Sequence, residues 1–180
     1  MQIRPLPADE SAVRRYVEQL WLPYHRDLET TIESHGLADE GDIDLVAAEV
    51  AFRLGRLEDD DYRLWIAVDT DASRGSTAES GPLENDGDLA GFVGTEIDDA
   101  PSVFDRPDRL VVGDLYVREP YRGSGLARDL IGRAAKRAGK AGCPELVLDV
   151  DVDNDRAIAF YEKLGFETYR RRMTVDVDEL

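Results

Sequence analysis

The sequence predicts a single domain of the α/β or α+β class, built around one β-sheet. Helical patterns dominate the first third of the chain, strand patterns follow, and a strand–helix–strand–helix order comes last. The chain has 180 residues, the length of one ordinary domain. A chain of this size buries roughly 70% of its unfolded surface. We therefore expect one domain over residues 1–180 that needs neither a disulfide nor a metal to fold.

The N-terminal third is predicted to hold a short strand and two helices. A β-like start at residues 2–6 precedes a helix whose apolar side chains recur every three or four positions. We expect Pro23 to end this helix, because an interior proline lacks the N–H that the helix needs. A second helix is predicted over 45–54, closing near Gly55. The apolar residues of the first helix are Val13, Tyr16, Val17, Leu20 and Trp21.

Two strand patterns surround a polar segment in the middle of the chain. Residues 62–68 and 89–97 are rich in β-branched and aromatic side chains. Gly91 and Gly94 predict a bulge or a close backbone approach in the second strand. The segment between them, 69–88, is rich in Gly, Ser, Asp and Glu, so we expect an acidic, flexible loop.

The last 70 residues or so alternate between strand and helix patterns. The predicted elements are a strand at 110–117, a helix from 126 to Gly139 or Gly142, a strand at 145–150, a helix capped by Asn154 or Asp155 and closed by Gly165, and a strand at 168–177.

The charge of the chain is strongly negative. It carries 39 acidic residues against 22 basic ones, for a formal charge of −17. This argues against nucleic acid as a partner, which needs a clustered basic face. Acids spread along the whole chain favour a protein adapted to a salty cytoplasm and thus a halophilic source, since the screening length falls to about 3 Å at 1 M salt. An acidic surface that attracts cationic substrates is the alternative.

Cysteine count and hydropathy exclude further classes. Cys143 is the only cysteine, so an internal disulfide and a Cys-rich zinc module are both excluded. We expect it to be a small buried apolar residue. No run of about 18 apolar residues is present, and the N-terminus lacks the pattern of a signal peptide. The sequence therefore predicts a soluble cytoplasmic protein with no membrane partner.

The segment that carries chemistry lies between the strand at 110–117 and the helix that follows it. Main-chain N–H groups at a helix start are unpaired and favour an anion. Gly123 and Gly125 allow the main chain to approach that anion, and Arg122 and Arg128 add charge-assisted contacts. These features predict a pyrophosphate cradle. A tight turn without a ligand is the alternative.

Two nucleotide-binding motifs are compared with this segment. A P-loop needs a lysine after its glycines, and none is present, so ATP or GTP hydrolysis is not expected. The dinucleotide fingerprint needs a small residue at the position of Arg128, although Asp149 stands roughly where a ribose-binding acid would. A nucleotide-cofactor (NAD-type) oxidoreductase therefore stays open as an alternative function.

The sequence LYVREPYRGSGLARDLIGRA, followed by LVLDVDVDNDRAIAFYEKLGF, resembles the core of the GCN5-related N-acetyltransferase family. Arg122, Gly125 and Ala127 fit its Arg/Gln-x-x-Gly-x-Gly/Ala motif. The resemblance covers about 109–166 and implies a mixed, mainly antiparallel sheet, flanked by helices and splayed at a bulge. It also implies acetyl-CoA as cosubstrate and no metal. The family acetylates primary amines, so a small molecule, a peptide N-terminus or a lysine is implied as acceptor, and a homodimer as one form of assembly.

The resemblance further implies which residues bind acetyl-CoA. The pantetheine arm would pair with the main chain of Leu115, Tyr116 and Val117, and Asn154 matches a position that contacts this arm. An N-cap role explains Asn154 equally well. The pyrophosphate would lie on the helix-start segment, formed by Arg122, Gly123, Ser124, Gly125, Leu126, Ala127 and Arg128.

Roles in catalysis are also implied by the resemblance. Tyr161 matches the tyrosine that protonates the coenzyme A sulfur in similar family members, with a core aromatic as the alternative. Asp149 and Asp114 are both candidates for the general base, and Glu96 is a third. The chain departs from the family at two further base positions, where it has Val111 and Gly113. A non-catalytic module that binds coenzyme A is the remaining alternative function.

The other polar and aromatic candidates receive structural assignments. His25 and His35 lie in the N-terminal region that borders the acceptor site in this family, and we assign them no role. Trp21, Tyr24 and Trp65 are expected in the core. The alternation of Asp149, Asp151 and Asp153 is interpreted as an exposed acidic rim rather than a cation site.

Overall fold

The computed structural model describes residues 1–32, 35–39, 41, 43–70 and 87–179. It divides into two compact units, Met1–Asp149 and Val150–Leu180, and each is considered by itself. Most of the loop predicted at 69–88 lies outside the described residues. Its two ends, Asp69 and Asp88, are paired residues of neighbouring strands.

The first unit carries a five-stranded sheet with helices on both faces. Its elements are β1 (Gln2–Pro5), α1 (Glu10–Tyr16), a π-helical turn (Val17–Trp21), α2 (Leu22–Glu29), α3 (Leu45–Glu58), β2 (Tyr62–Asp69), β3 (Asp88–Asp98), β4 (Arg109–Val117), a 3₁₀ turn (Glu119–Tyr121), α4 (Leu126–Ala141) and β5 (Glu145–Val147). The second unit contains α5 (Asp155–Lys163) and a 3₁₀ turn (Val177–Glu179).

The sheet is mixed and mainly antiparallel, as predicted. The strands lie in the order β1-β2-β3-β4-β5, and only β4 and β5 run parallel. Their pairing ends at Val111 opposite Val147. Beyond that point the rest of β4 has no strand beside it on this edge, within the described residues. This unpaired edge of β4 leads to the turn that precedes α4.

A β-bulge lies just beyond the last paired residue of β4. Val93 pairs with Leu115, but Thr95 pairs with Val112, so Gly113 and Asp114 together face the single residue Gly94. The bulge thus coincides with the end of the pairing between β4 and β5. The prediction of an irregularity at Gly91 and Gly94 is thereby confirmed.

Gly91 shows why a glycine is required in β3. A Cβ built on it would lie 2.5 Å from the carbonyl oxygen of Tyr116, closer than real Cβ contacts allow. The register between β2 and β3 also shifts at Ala67 and Val68, opposite this position. The bare backbone at Gly91 therefore lets β4 pair closely at its exit from the sheet.

The main apolar core lies between the sheet and the helices α1 to α3. Tyr16 and Phe92 are fully buried there and meet edge to face, with ring centroids 5.0 Å apart. Helix α4 covers the opposite face of β3 and β4 through its stripe of buried residues. That stripe consists of Leu126, Leu130, Ile131, Ala134 and Ala138.

Pro23 does not end the first helix, contrary to the sequence prediction. The helical path continues from Glu10 to Glu29 through a π-helical turn, where the N–H of Leu22 bonds to the carbonyl of Val17. Widening to an i→i+5 pattern makes room for the proline ring at the start of α2, where a missing N–H is tolerated.

Two other boundaries also differ from prediction. Helix α3 runs past Gly55 to Glu58, because Leu57 packs against the core and holds the additional turn. Strand β5 ends at Val147 rather than at residue 150, because the bulge in β4 takes its partner away.

The second unit has well-formed caps on α5. The side chain of Asn154 accepts a hydrogen bond from the N–H of Ala157 at 3.1 Å. Gly165 has φ +91°, and Phe166 N–H bonds back to the carbonyl of Tyr161. Both caps agree with prediction.

The strand expected at 168–177 is not formed. A strand needs a neighbour to hydrogen-bond with, and no other strand occurs among the described residues of the second unit. Met173 and Val177 are accordingly 92% and 80% exposed.

Candidate active site

The predicted cradle lies where β4 leads into α4. Gly123 and Gly125 have φ of +78° and +91°, conformations that favour glycine. A Cβ built on either residue meets nothing within 4 Å, so the space above the turn is open. No side chain caps α4, and the first hydrogen bond of the helix runs from Asp129 N–H to the Gly125 carbonyl.

The amides before Asp129 therefore face open space without an acceptor among the described residues. The α4 dipole adds positive potential at the same place. An anion with several oxygens fits this arrangement.

Arg122 binds within the protein instead of extending into the cradle. Its Nε donates to the carbonyl of Val117 at 2.9 Å, and its terminal nitrogen forms an ion pair with Asp27 at 2.6 Å. The guanidinium also lies 5.7 Å from the ring centroid of Tyr116. Arg122 thus links the turn before α4 to helix α2. Arg128 is exposed and keeps its charge beside the cradle.

The residues predicted to bind pantetheine lie on the free part of β4. Leu115, Tyr116 and Val117 pair with β3 on one side and have no strand on the other, within the described residues. Tyr116 also packs against Tyr24. Burial and the nearby Asp27 carboxylate raise the pKa of Tyr116. The outer edge of β4 is therefore available to an extended ligand, as when a peptide adds to a sheet.

A cavity of about 160 Å³ opens at the bulge, on the face of the sheet covered by α1 to α3. We call it the bulge cavity. Asp114 lines it and forms no hydrogen bond or ion pair with the described residues. Glu96 also lines it but is paired with Arg56 at 2.8 Å. The other lining residues are Arg53, Tyr62, Leu64, Gly94, Thr95, Val111 and Gly113.

Arg53 is the cation of the bulge cavity, and the protein neutralises it internally. Its Nε and a terminal nitrogen bond to one carboxylate oxygen of Glu49, at 2.9 and 2.5 Å. The two side chains are only 8% and 10% exposed. Arg53 also donates to the hydroxyl of Tyr62 and lies over the ring of Tyr16.

The charge of Asp114 is felt by the groups around the cavity. Burial raises the pKa of Tyr16, of Tyr62 and of Glu49, and Asp114 raises each further, while Arg53 opposes the rise. Buried Tyr16 also has no partner for its hydroxyl among the described residues. Among the described residues, Asp114 is thus a carboxylate without an ion pair in a partly desolvated cluster.

The two histidines stack against each other beside this cluster. His25 Nδ1 and His35 Nε2 are 2.7 Å apart, and the rings are nearly parallel. Burial lowers the pKa of His25, the charge of Asp114 opposes this, and His35 adds to it. His25 also contacts the rings of Trp21 and Tyr24, which pack against the main core as predicted.

The remaining predicted residues are distributed as follows. Asp149 is exposed and lies two residues beyond the end of β5, not on the strand as expected. Asn154 and Tyr161 belong to the second unit, where the Tyr161 ring contacts Phe160 and Phe166. Cys143 is buried and free, as expected, and burial raises the pKa of its thiol.

The described ranges show neither a metal-binding cluster nor a membrane span. No group of three His, Cys, Asp or Glu residues there is placed to hold a metal ion. No helix within those ranges is both long and apolar enough to cross a membrane.

Comparison with protein families identifies the fold. A family model described as acetyltransferase (GNAT) family matches residues 43–166, more than half of the chain. The chain belongs to the GNAT acetyltransferase family. Among the described strands only one pair is parallel, so this GNAT sheet differs from the parallel sheet of a dinucleotide-binding domain.

Similar proteins agree with the family membership. The GNAT chain is 41% identical over 63 residues to an N-alpha-acetyltransferase MAK3 of Arabidopsis thaliana. The matched stretch covers 35% of this chain and 33% of that protein. It spans between a third and a half of the length of the curated relatives it matches.

Solved structures resemble the whole chain. A tetramutant of the BH1408 protein from Bacillus halodurans has a TM-score of 0.72 at 16% identity, covering 98% of this chain and 100% of that one. An aminoglycoside N-acetyltransferase AAC(6')-Iy in complex with CoA has a TM-score of 0.63 at 19% identity, covering 97% and 93%. These likenesses show the fold.

Sequence reasoning missed the buried pair of Glu49 and Arg53 at the bulge cavity. The signal was present, since a glutamate and an arginine four residues apart lie on one face of a helix. Among so many charged residues, the pattern did not distinguish a buried pair from an exposed one. Only the packing of α3 on β2 makes that distinction.

Proposed function

We propose that this protein is an acetyl-CoA-dependent N-acetyltransferase that moves the acetyl group to a primary amine by direct attack in a ternary complex. One observation carries the proposal. The pairing of β4 with β5 ends at Val111, and the unpaired edge of β4 beyond it leads to the two-glycine start of α4. A long ligand with a diphosphate at one end fits this combination of a free strand edge and a free helix start.

Different residues are proposed to bind different parts of acetyl-CoA. The amides of 123–128 would hold the diphosphate, and exposed Arg128 would add charge. Arg122 keeps the turn in place through Asp27, so its role is positioning. The free edge formed by Leu115, Tyr116 and Val117 would pair with the pantetheine amides. Acetyl-CoA supplies the activated thioester. The protein must take a proton from the amine and donate one to the departing sulfur.

The acceptor amine must be neutral when it attacks. An alkylamine with a pKa near 10.4 is neutral in only roughly one molecule in 2,500 at pH 7, which costs about 4.6 kcal/mol. Asp114 is our proposed general base, because it lines the bulge cavity and has no ion pair among the described residues. Glu96 is already paired with Arg56, so its carboxylate is engaged within the protein. Asp149 is the rival candidate.

Proton donation to the departing sulfur is assigned to Tyr161, as the family resemblance implies. Asn154 is proposed to contact the coenzyme A arm while it also caps α5. Tyr161→Phe should lower kcat at every pH, with the largest effect where the phenol is still protonated. Activity unchanged across the whole pH range would remove Tyr161 from the mechanism. No covalent intermediate on the enzyme is needed.

We further propose that the acceptor carries a positive charge before it reacts. The bulge cavity offers Asp114 and Glu96, while its Arg53 is neutralised by Glu49. A primary amine that arrives as a cation is attracted to such a surface. Relatives described as N-alpha- and aminoglycoside N-acetyltransferases provide two acceptor classes to test, namely peptide N-termini and amino sugars. Lysine is the third.

The test begins with cosubstrate choice. Acetyl-CoA and NADH are added separately in a thermal-shift assay, and we expect stabilisation by acetyl-CoA. Stabilisation by NADH alone would reverse the proposal in favour of an oxidoreductase. A panel of peptide, lysine and amino-sugar acceptors is then followed by thiol release, at low and molar salt. Binding of acetyl-CoA without turnover of any acceptor would indicate a module that only binds coenzyme A.

The acidity of the chain is proposed to be an adaptation to a salty cytoplasm, as in a halophilic organism. At a formal charge of −17, repulsion between carboxylates is substantial in dilute buffer. The melting temperature should rise between about 0.1 and 2 M KCl, as the screening length falls below about 10 Å. A flat or falling curve would contradict this. A homodimer is the assembly we propose, and light scattering coupled to size exclusion measures it.

A further inference from the structure

A second cavity, of about 290 Å³, lies on the opposite face of the sheet from the bulge cavity. We call it the basic cavity. Arg63 and Trp65 of β2 line it, whereas the neighbouring Tyr62 and Leu64 line the bulge cavity. Successive side chains of a strand point to opposite faces, which separates the two sites. The other lining residues are Pro5, Arg133, Lys136, Arg137 and Lys140.

The cations of α4 are aligned by helical spacing. Residues 133, 136, 137 and 140 differ by three, one and three positions, so they share one side of the helix. Arg63 faces them from the sheet. Five of the 22 basic residues of a strongly acidic chain thus line one cavity, and none of the described acidic side chains lines it.

Three of these cations have no carboxylate partner among the described residues: Arg133, Lys136 and Lys140. Arg137 bonds to the carbonyls of Thr95 and Asp61 and to the Thr95 hydroxyl, none of which neutralises its charge. The one carboxylate that pairs with Arg63 among the described residues is the exposed Asp60, at 3.6 Å, and the guanidinium also donates to the carbonyls of Asp59 and Tyr62. Burial and the charge of Arg63 together lower the pKa of Arg137, a sign of crowded positive charge.

The wall of the cavity has unsatisfied donors. The Arg133 guanidinium lies 4.1 Å from the Trp65 ring centroid, a stacked cation–π contact. The Trp65 indole N–H and the Arg133 Nε are both buried without a partner among the described residues. An anion with several oxygens would satisfy donors and charge together. Trp65 was expected in the core, and its half-buried position in this wall is a correction.

We propose that the basic cavity binds a small anion bearing two phosphates, free or carried by a nucleoside. The site is separate from the cradle, because Arg133 lies roughly 10 Å along α4 from its first residue at about 1.5 Å per residue. The cavity holds a group of about diphosphate size, with its charges directed to the lysines at the mouth. The inference does not depend on the proposed acetyl transfer.

Tryptophan fluorescence offers a direct test. Trp21 and Trp65 are the only tryptophans, so the Trp21→Phe chain reports on the basic cavity alone. We expect inorganic pyrophosphate to change Trp65 fluorescence in a saturable way. ADP is the second arm, and tighter binding of ADP than of pyrophosphate would assign a nucleoside-borne diphosphate. The same protein is titrated by calorimetry to count sites.

Charge-matched variants identify where the anion binds. K136Q/K140Q should weaken the fluorescence-detected binding at least about tenfold, since one charge-assisted contact contributes roughly that factor. K163Q/R170Q removes the same charge from two residues that do not line the cavity and should leave the binding unchanged. Arg137 is kept, because its bonds tie α4 to β3.

Three outcomes would overturn the proposal. The first is that neither ligand changes Trp65 fluorescence at millimolar concentration. The second is that both variants weaken binding equally. The third is that calorimetric binding persists in K136Q/K140Q with no fluorescence change. The last result would place the anion at the cradle. Acetyl transfer is measured on the same proteins, so failure here is distinguishable from failure of the acetyltransferase proposal.

Discussion

The two faces of the sheet carry cavities of opposite charge, although both are built on the same strand β2. The bulge cavity has Asp114 and Glu96, and its one cation, Arg53, is neutralised by a buried glutamate. The basic cavity is lined by five cations and by no acid from the part of the chain that the structure describes. A net charge of −17 describes neither site. Partners are therefore better inferred from each cavity than from the composition.

Internal neutralisation is the second difference between the cavities. In the bulge cavity Arg53 is held by Glu49 and Tyr62, so its charge is committed to structure. In the basic cavity Arg133 and Lys136 have no carboxylate partner among the described residues. A charged side chain that is paired within the protein contributes to the structure of a site, whereas one without an internal carboxylate partner is available to a ligand.

Asp114→Asn should have the largest effect on activity. Losing the general base should lower kcat/KM by about 10²–10⁴-fold at neutral pH, with a smaller deficit at high pH, where more of the amine is already neutral. The measurement is a pH profile of thiol release. Asp149→Asn is the matched control and should change little. If Asp149→Asn carries the loss instead, the bulge cavity does not hold the base.

Arg53→Met should have the largest effect on stability. Breaking a buried pair leaves Glu49 as an uncompensated charge, which costs about 3–5 kcal/mol of unfolding free energy. Urea denaturation at neutral pH measures it.

The pH dependence of this loss has a defined sign. Burial raises the pKa of Glu49, so its protonated form is favoured in the folded state. Stability linked to Glu49 is therefore present at low pH and is lost as pH rises through the folded pKa. Without Arg53 that pKa rises further. The Arg53→Met deficit should shrink at about pH 4, below the ordinary pKa of a glutamate, and an equal deficit at both pH values would show that Glu49 is not the cause.

Local sequence signals predicted much of the fold. The stripe on α4, the left-handed Gly142 after it and the Asn154 cap of α5 each depend on residues a few positions apart. Helical periodicity and capping preferences act at this range. The cradle was predicted for the same reason, because its glycines and the helix start are adjacent in sequence.

Contacts between distant residues could not be predicted in this way. Arg122, whose contact with a phosphate stays a prediction, pairs with Asp27, 95 positions away, and no local pattern indicated that pair. The opposite charges of the two cavities depend on which face each β2 residue takes, and a shift of one residue would exchange them. Pro23 was misjudged because a π-helical turn is a response of the packed helix, with no marker in its own sequence.

Gly125→Ala should separate the cradle from the basic cavity on the same helix. With φ at +91° and open space around the Cβ, the cost is conformational, about 1–2 kcal/mol. Acetyl-CoA binding should weaken, while the Trp65 response to pyrophosphate stays. Gly139→Ala within α4 is the control of opposite sign and should stabilise by about 0.5–1 kcal/mol. A loss of the Trp65 response in Gly125→Ala would mean that the two sites are one.

Lys136→Gln should have the smallest effect on the melting temperature. It tests whether repulsion among the neighbouring cations of α4 outweighs the net negative charge of the chain. Lys136 lies three and four residues from Arg133 and Lys140, and like charges at such spacings destabilise a helix by about 0.2–0.5 kcal/mol. Its removal should raise the melting temperature slightly in dilute buffer, even though the chain becomes more acidic. Lys163→Gln removes a cation from the last turn of α5, where the helix dipole favours one, and should lower it. At about 1 M KCl the screening length is about 3 Å, so the difference between the variants should vanish. If Lys136→Gln also lowers the melting temperature, the net charge outweighs the crowding of the basic cavity, and its lysines are retained for stability rather than for a ligand.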